Sequence, residues 1–236
     1  MKRSLVTGGA GFVGRHVCNA LAKRGYTIDC VDDLTSESAL QPSAWPEHLR
    51  VNSTLQFFNE DARDFFSKNV ASTYDLVVHL AAVVGGRVMI EQAPLAVAVD
   101  LSIDAEMFNW VSRAKPGKLV FFSSSAAYPI RFQTKEHAEM KLYEDLLNFK
   151  NDIGVPDMSY GMAKCVGEFL ALMAHDKYNI DVTCFRPFSG YGEDQHTSYP
   201  FPAILARAKK HDNPIEVWSN AVRDFIYIDD CVDGMF

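Results

Sequence analysis

The 236-residue chain has no block of lysine and arginine, no apolar run long enough to cross a bilayer, and no Cys-x-x-Cys or His-x-x-x-His spacing. Its 30 acidic residues outnumber 23 basic ones for a net charge of −7, so neither nucleic acid nor a membrane surface is an expected partner. The missing apolar run excludes a transmembrane helix. Met1-Lys2-Arg3 resembles the start of a signal peptide, yet only Leu5 and Val6 precede Thr7-Gly8-Gly9, so the apolar segment of such a peptide is absent. The missing ligand spacings argue against structural zinc, and no metal is expected. The cysteines Cys18, Cys30, Cys165, Cys184 and Cys231 are odd in number and sit mostly within apolar segments. That usage suits a reducing cytoplasm better than a disulfide framework, so a cytoplasmic location is the expectation.

What is present is a globular composition, 48% hydrophobic and 22% charged, arranged as alternating short apolar runs and longer amphipathic stretches. Residues 4–7, 27–31, 54–58, 75–80, 118–123 and 181–185 read as strands. Helical patterns are clearest at 13–24, 95–114 and 160–178. Strands that are apolar on both faces and separated by helices predict a doubly wound α/β fold, a parallel sheet covered on each side. After Arg186 the composition changes: Pro, Gly, Tyr and Asp crowd into 187–202, followed by a helix at 203–211 and strand candidates at 215–218 and 224–228. The expected division is a nucleotide-binding domain over 1–186 and a smaller, incomplete C-terminal substrate lobe over 187–236, with residues 223–236 returning to the first domain.

Gly8-Gly9-Ala10-Gly11-Phe12-Val13-Gly14 follows the first strand and opens the first helix. Glycines allow the tight turn and a close backbone approach to a pyrophosphate, while the helix N-terminus, including Phe12 and Val13, offers amide donors. Asp32 ends the second strand about twenty residues later, where a carboxylate bonds the adenosine ribose of NAD. No arginine follows immediately to hold a 2′-phosphate, which favours NAD over NADP. Asp61 and Ala62 after the third strand, and Leu80, Ala81 and Ala82 ending the fourth, lie on the carboxyl edge and are further cofactor-binding candidates. For Asp61 a helix cap is the competing role.

Ser123, Ser124 and Ser125 end the fifth strand on that edge, and Tyr160 and Lys164 stand four apart at the start of a long helix, on one face. A lysine cation beside a tyrosine favours the phenolate, bringing a group of reference pKa about 10 toward working pH as a base. A serine hydroxyl can hold the same alcohol in line.

TGGAGFVG at 7–14, HLAA at 79–82, SSSAAYP at 123–129, YGMAK at 160–164, RPFSGYG at 186–192 and RDFIYIDD at 223–230 together resemble the extended short-chain dehydrogenase/reductase family. More narrowly they resemble its NAD-dependent nucleotide-sugar epimerases and dehydratases, which have the Rossmann fold. The resemblance implies a nucleotide-diphosphate sugar as substrate. It assigns Ser124 to the sugar hydroxyl, Tyr160 as base and Lys164 to the nicotinamide ribose, with Ser125 the alternative if the alignment shifts by one. It also implies Arg223 as a pyrophosphate ligand and Gly86 and Arg87 as substrate contacts, in a loop like that of the GDP-sugar branch. Ser189 stands where the family has Asn in a substrate-binding motif, and Asp100 stands where many members have Asn. Members that dehydrate, or that epimerise at two carbons, carry an acid or a cysteine just after the catalytic Ser/Thr. Here Ser125 and Ala126 occupy those places, so the resemblance favours a UDP- or GDP-hexose 4-epimerase. A 4-ketoreductase or dehydratase, and a noncatalytic NAD-binding regulator, are the alternatives. The helices over 95–114 and 160–178 imply the family's homodimer.

Overall fold

The computed structural model describes residues 2–236 except 52, 70–72, 84–86 and 218–221, and nothing of the side chains of Arg87 and Val88. The chain runs β1 (Lys2–Thr7), α1 (Phe12–Lys23), β2 (Tyr26–Asp32), β3 (Leu55–Asn59), α2 (Ala62–Lys68), β4 (Leu76–His79), α3 (Arg87–Gln92), α4 (Pro94–Val97), α5 (Asp100–Ala114) and β5 (Leu119–Phe122). It continues through α6 (Met158–Tyr178), β6 (Val182–Phe185), β7 (Ser189–Tyr191), α7 (Pro200–Lys209), β8 (Phe225–Tyr227) and α8 (Ile228–Asp233). Short 3-10 turns, including one over Ser125–Ala127, fill the longer connections.

Six strands form one sheet in the order β3-β2-β1-β4-β5-β6, every pair parallel, which is the expected doubly wound Rossmann architecture. From β1 the chain builds outward to β3 and then crosses back to β4 on the other side. The crevice at the carboxyl ends of β1 and β4 is therefore the topological switch point, where such sheets bind ligands. Phe65 and Phe66 of α2, Met107 and Trp110 of α5 and Ala171 of α6 pack against one face with Phe121. Val17 and Leu21 of α1 and Ile228 and Val232 of α8 cover the other with Val120 and Ile28. The C-terminal helix α8 thus packs on the sheet, and β7 and β8 form a separate parallel pair.

Two expectations need correction. The single helix over 95–114 is broken: α4 ends at Val97 and α5 starts at Asp100. The amides of Leu101 and Ser102 bond the carbonyls three residues back, of Ala98 and Val99, and this tightened turn accompanies the burial of Asp100. Residues 215–217 form no strand, because β8 takes the ladder beside β7; Trp218, the end of that predicted strand, lies outside the described residues.

One buried ion pair ties α6 to the sheet. Glu168 receives two bonds from Arg186, at 2.7 and 2.6 Å, and one from the Ser123 hydroxyl at 2.5 Å. Glu168→Ala leaves the Arg186 guanidinium without its carboxylate, and a loss of about 3 kcal/mol is expected in urea unfolding; a loss below about 1 kcal/mol would show the pair to be a minor contributor.

Candidate active site

The glycine turn is shaped by close approach. Gly8 has φ of +68° and lies so near the end of β4 that a Cβ would fall 2.7 Å from the Ala81 nitrogen. At Gly14 a Cβ would fall 2.3 Å from the Gly8 carbonyl oxygen. Gly11 differs: its Cβ would meet only the Gly8 oxygen, at 3.3 Å, so its bareness leaves an open face beside the turn. Gly11 is also the N-cap of α1, with no side-chain cap and no acid in the first turn. The Phe12, Val13 and Gly14 amides are thus presented without a competing carboxylate, and an uncrowded glycine beside uncapped amides fits a dinucleotide's pyrophosphate.

Asp32 sits where expected, at the carboxyl end of β2, accepting from the Ala10 amide at 3.0 Å and the Leu34 amide at 2.9 Å. Burial raises its pKa, partly offset by those amides. It therefore anchors the glycine turn. Asp61 caps α2 through the Arg63 amide at 2.8 Å and pairs with the Arg63 guanidinium, which lowers its pKa. Ala62 is buried in the first turn of that helix. Leu80 and Ala81 are tied to Thr7 by their amides, which brings residues 80–82 to the switch point.

The chemical end is set by how α6 meets β5. A Cβ on Gly161 would lie 2.3 Å from the Ala126 carbonyl oxygen, so the first turn of α6 rests directly on the Ser125–Ala127 turn. This brings the Ser124 hydroxyl near enough to the Tyr160 phenol to act on its pKa, in the downward direction. Ser124 Oγ also accepts from the Ala126 amide at 3.1 Å, whereas Ser123 is committed to Glu168. Lys164 is buried beneath, its Nζ 5.9 Å from the Tyr160 ring centre and 5.4 Å from that of Phe121. The expected downward shift of Tyr160 is not what the protein alone provides. Burial raises the phenol pKa more than Lys164 and Ser124 lower it, because a phenolate loses more hydration here than one ammonium returns. Burial also opposes the charge on Lys164, but Asp104, Tyr160 and Asp100 outweigh it and carry its pKa upward.

Ser125 and Ser189 are half-buried on the same edge, the Ser125 amide bonding the Pro187 carbonyl and the Ser189 amide that of Asp224. Arg223 is exposed and, among the described residues, has no ion pair with Asp224 or Asp229. Gly86 and the Arg87 side chain lie outside the described residues. Sequence reasoning missed Arg15, a fully buried guanidinium in α1 that holds the carbonyls of Ala10 and Ser38, each at 2.7 Å, and the Asp194 carboxylate at 2.8 Å. An arginine among the apolar positions of the first helix was the available signal, but its partner lies 179 residues away.

A family profile described as "NAD dependent epimerase/dehydratase family" matches residues 4–236. The chain belongs to this family. The epimerase/dehydratase chain is 28% identical over 238 residues to a UDP-glucuronate 4-epimerase of Thermodesulfobacterium geofontis, covering 98% of this chain and 69% of that one. It is 26% identical over 235 residues to a dTDP-4-dehydro-6-deoxy-D-allose reductase of Streptomyces bikiniensis, with 97% and 69% covered. The crystal structure of a UDP-glucuronic acid 4-epimerase from Bacillus cereus, in complex with UDP-glucuronic acid and NAD, superimposes with a TM-score of 0.78 at 26% identity, covering 98% of this chain and 71% of that one. The family is one of enzymes that use NAD, and NAD is the cofactor here. No helix among the described residues is long and apolar enough to cross a membrane.

Gly11→Ala is expected to leave the thermal midpoint almost unchanged while weakening NAD binding about tenfold or more, read by isothermal titration, since its methyl enters the open face. Gly14→Ala should lower the midpoint as well, because its methyl meets backbone. Equal NAD affinity of Gly11→Ala and the wild type would remove the pyrophosphate from this turn.

Proposed function

We propose that the protein is a nucleotide-sugar 4-epimerase acting on a UDP- or GDP-linked hexose through a 4-keto intermediate. The observation that carries this reading is the assembly of Ser124, Tyr160 and Lys164 at the switch point, with Ala126 rather than an acid beside them. The similarity to a UDP-glucuronate 4-epimerase supports UDP as the nucleotide.

When bound, NAD supplies a hydride acceptor, a donor on reversal, and a cationic ring. The chain's residues handle the proton and the orientation. Ser124 donates to the sugar 4-oxygen and holds it against the phenol. Tyr160 takes the hydroxyl proton as C4 is oxidised and returns it when C4 is reduced on the opposite face. Lys164 stabilises the phenolate and bonds the nicotinamide ribose. Gly8, Gly11, Phe12, Val13 and Gly14 receive the pyrophosphate, Asp32 the adenosine ribose, and Asp61, Ala62 and residues 80–82 line the dinucleotide. Gly86, Arg87, Ser125, Ser189 and Arg223 serve the substrate. Residues 1–186 act as the cofactor half and 187–236 as part of the sugar half. Without a second acid or cysteine beside Ser124, the proposed chemistry stays at C4.

The enzyme is further proposed to work in the cytoplasm as a homodimer. Leu101, Met162, Val166 and Phe169 stand exposed on α5 and α6, and pairing those helices across two copies would cover them. Met162→Glu with Val166→Glu is expected to shift the sedimentation coefficient from dimer to monomer; a wild-type monomer would end this part of the reading.

Proton NMR of UDP-, GDP- and dTDP-hexoses with catalytic NAD in heavy water tests the function. A C4 epimer without deuterium at carbon is expected, and Tyr160→Phe should lower turnover by about 10² to 10⁴ while retaining NAD. Deuterium at C3 or C5 would mean another acid/base group; net reduction at the expense of NADH would favour a 4-ketoreductase; silence across the panel would favour a noncatalytic protein.

A further inference from the structure

Lys164 lies among more charge than the proposed chemistry uses. Asp100 and Asp104, at the start of α5, are 0% and 1% exposed, and Lys164 is 3% exposed. Each carboxylate spends one oxygen on a fixed donor. The Val83 amide donates to Asp100 Oδ1 at 2.6 Å. His79 Nε2 lies 3.2 Å from Asp104 Oδ1, and Thr7 Oγ1 lies 2.7 Å from His79 Nδ1. Because the Asp104 carboxylate can only accept when ionised, the tautomer with Nε2–H donating to Asp104 and Nδ1 accepting from the Thr7 hydroxyl satisfies both contacts. The other oxygen of each carboxylate, Oδ2 in both cases, is buried without a hydrogen-bond partner among the described residues. Two carboxylates and one ammonium, all out of water, make a site with one negative charge too many, and burying an uncompensated charge is costly.

We propose that Asp100 is a positioning residue that decides how much of the Lys164 charge reaches Tyr160: protonated, it leaves the ammonium to the phenolate, and ionised, it shares the ammonium and keeps Tyr160 protonated. The inference rests on Tyr160 being the base, as proposed above. Four groups face Asp100: Lys164 and Tyr160 from α6, Asp104 one turn along α5, and His79 of β4 behind Asp104. Asp104 is the carboxylate that stays paired, because His79 donates to it from a ring held by Thr7. Asp100 is the one free to take the proton, which comes from solvent and returns there as pH rises. Burial pushes the Asp100 carboxyl up to about 6, against the pull of Lys164 and the Val83 amide. Both Asp100 and Asp104 act to raise the Tyr160 pKa, opposite to Lys164. An asparagine at this position could bond Val83 equally well but could not titrate, so this chain carries a control at its base that an amide lacks.

Carbon-13 NMR of aspartate- and tyrosine-labelled protein reads the two groups without turnover. One aspartate carboxyl is expected to titrate near pH 6, its signal missing in Asp100→Asn, and the Tyr160 Cζ signal, assigned by its loss in Tyr160→Phe, should inflect at the same pH. Asp100→Asn keeps an acceptor for Val83, so its fold and NAD affinity should persist, while the acid limb of its kcat profile moves about one unit to lower pH. A shift of this kind would not follow from a merely structural role. Aspartates all ionised well below pH 6, a Tyr160 signal that ignores the Asp100 step, or superimposable wild-type and Asp100→Asn profiles would each overturn the proposal. Should Asp100→Asn fail to fold, the wild-type Tyr160 Cζ signal, assigned through Tyr160→Phe alone, still decides by its inflection near pH 6 or the lack of one. Should the protein turn over no sugar nucleotide, the epimerase reading fails but the coupled titration remains measurable.

Discussion

The closeness of α6 to β5 is the constraint on which the site depends. Two glycines permit it: a Cβ at Gly161 would collide with the Ala126 carbonyl, and one at Gly167 would fall 2.3 Å from the Phe121 ring. With the helix against the strand, three residues one turn apart along its inner face each meet their own partners. Tyr160 reaches the Ser124 hydroxyl, Lys164 lies over Phe121 and near Asp104, and Glu168 closes on Ser123 and Arg186. A helix set back by the width of a methyl group would lose all three.

That closeness also determines the electrostatics. Lys164 does not make Tyr160 acidic unaided: desolvation of the phenolate outweighs the attraction of one ammonium. The basicity of the site is therefore a sum over a neighbourhood, in which Asp100 and Asp104 oppose Lys164 and a cationic cofactor ring would assist it. Low local dielectric makes each of these charges count for more than it would at the surface. The same property makes the buried Arg15 an effective link, joining the glycine turn to the loop at Asp194.

The two halves of the site meet at the switch point through backbone as much as through side chains. Thr7 at the end of β1 takes the Leu80 amide on its carbonyl and the Ala81 amide on its hydroxyl, and contacts His79. A short buried chain thus runs from the glycine turn through His79 to Asp104 and the Lys164 neighbourhood. The glycine turn and the Lys164 neighbourhood are parts of one packed unit rather than two modules placed side by side.

The sequence by itself determined the sheet and singled out the candidate reacting set, since both are written in local patterns. Apolar runs alternating with amphipathic helices require a covered parallel sheet, and a glycine turn after β1, serines after β5 and Tyr160-x-x-x-Lys164 each carry their meaning within a few residues. Even Asp32 was legible from its distance to the glycines. Tertiary structure alone decided which serine is committed to Glu168, how α4 breaks before α5 to bury Asp100, and that β8 rather than 215–217 pairs with β7. It also decided the direction of the Tyr160 shift. These outcomes depend on desolvation and on partners far apart in the chain, Arg15 with Asp194 and Lys164 with Asp100, and neither quantity has a local signature in a string of residues.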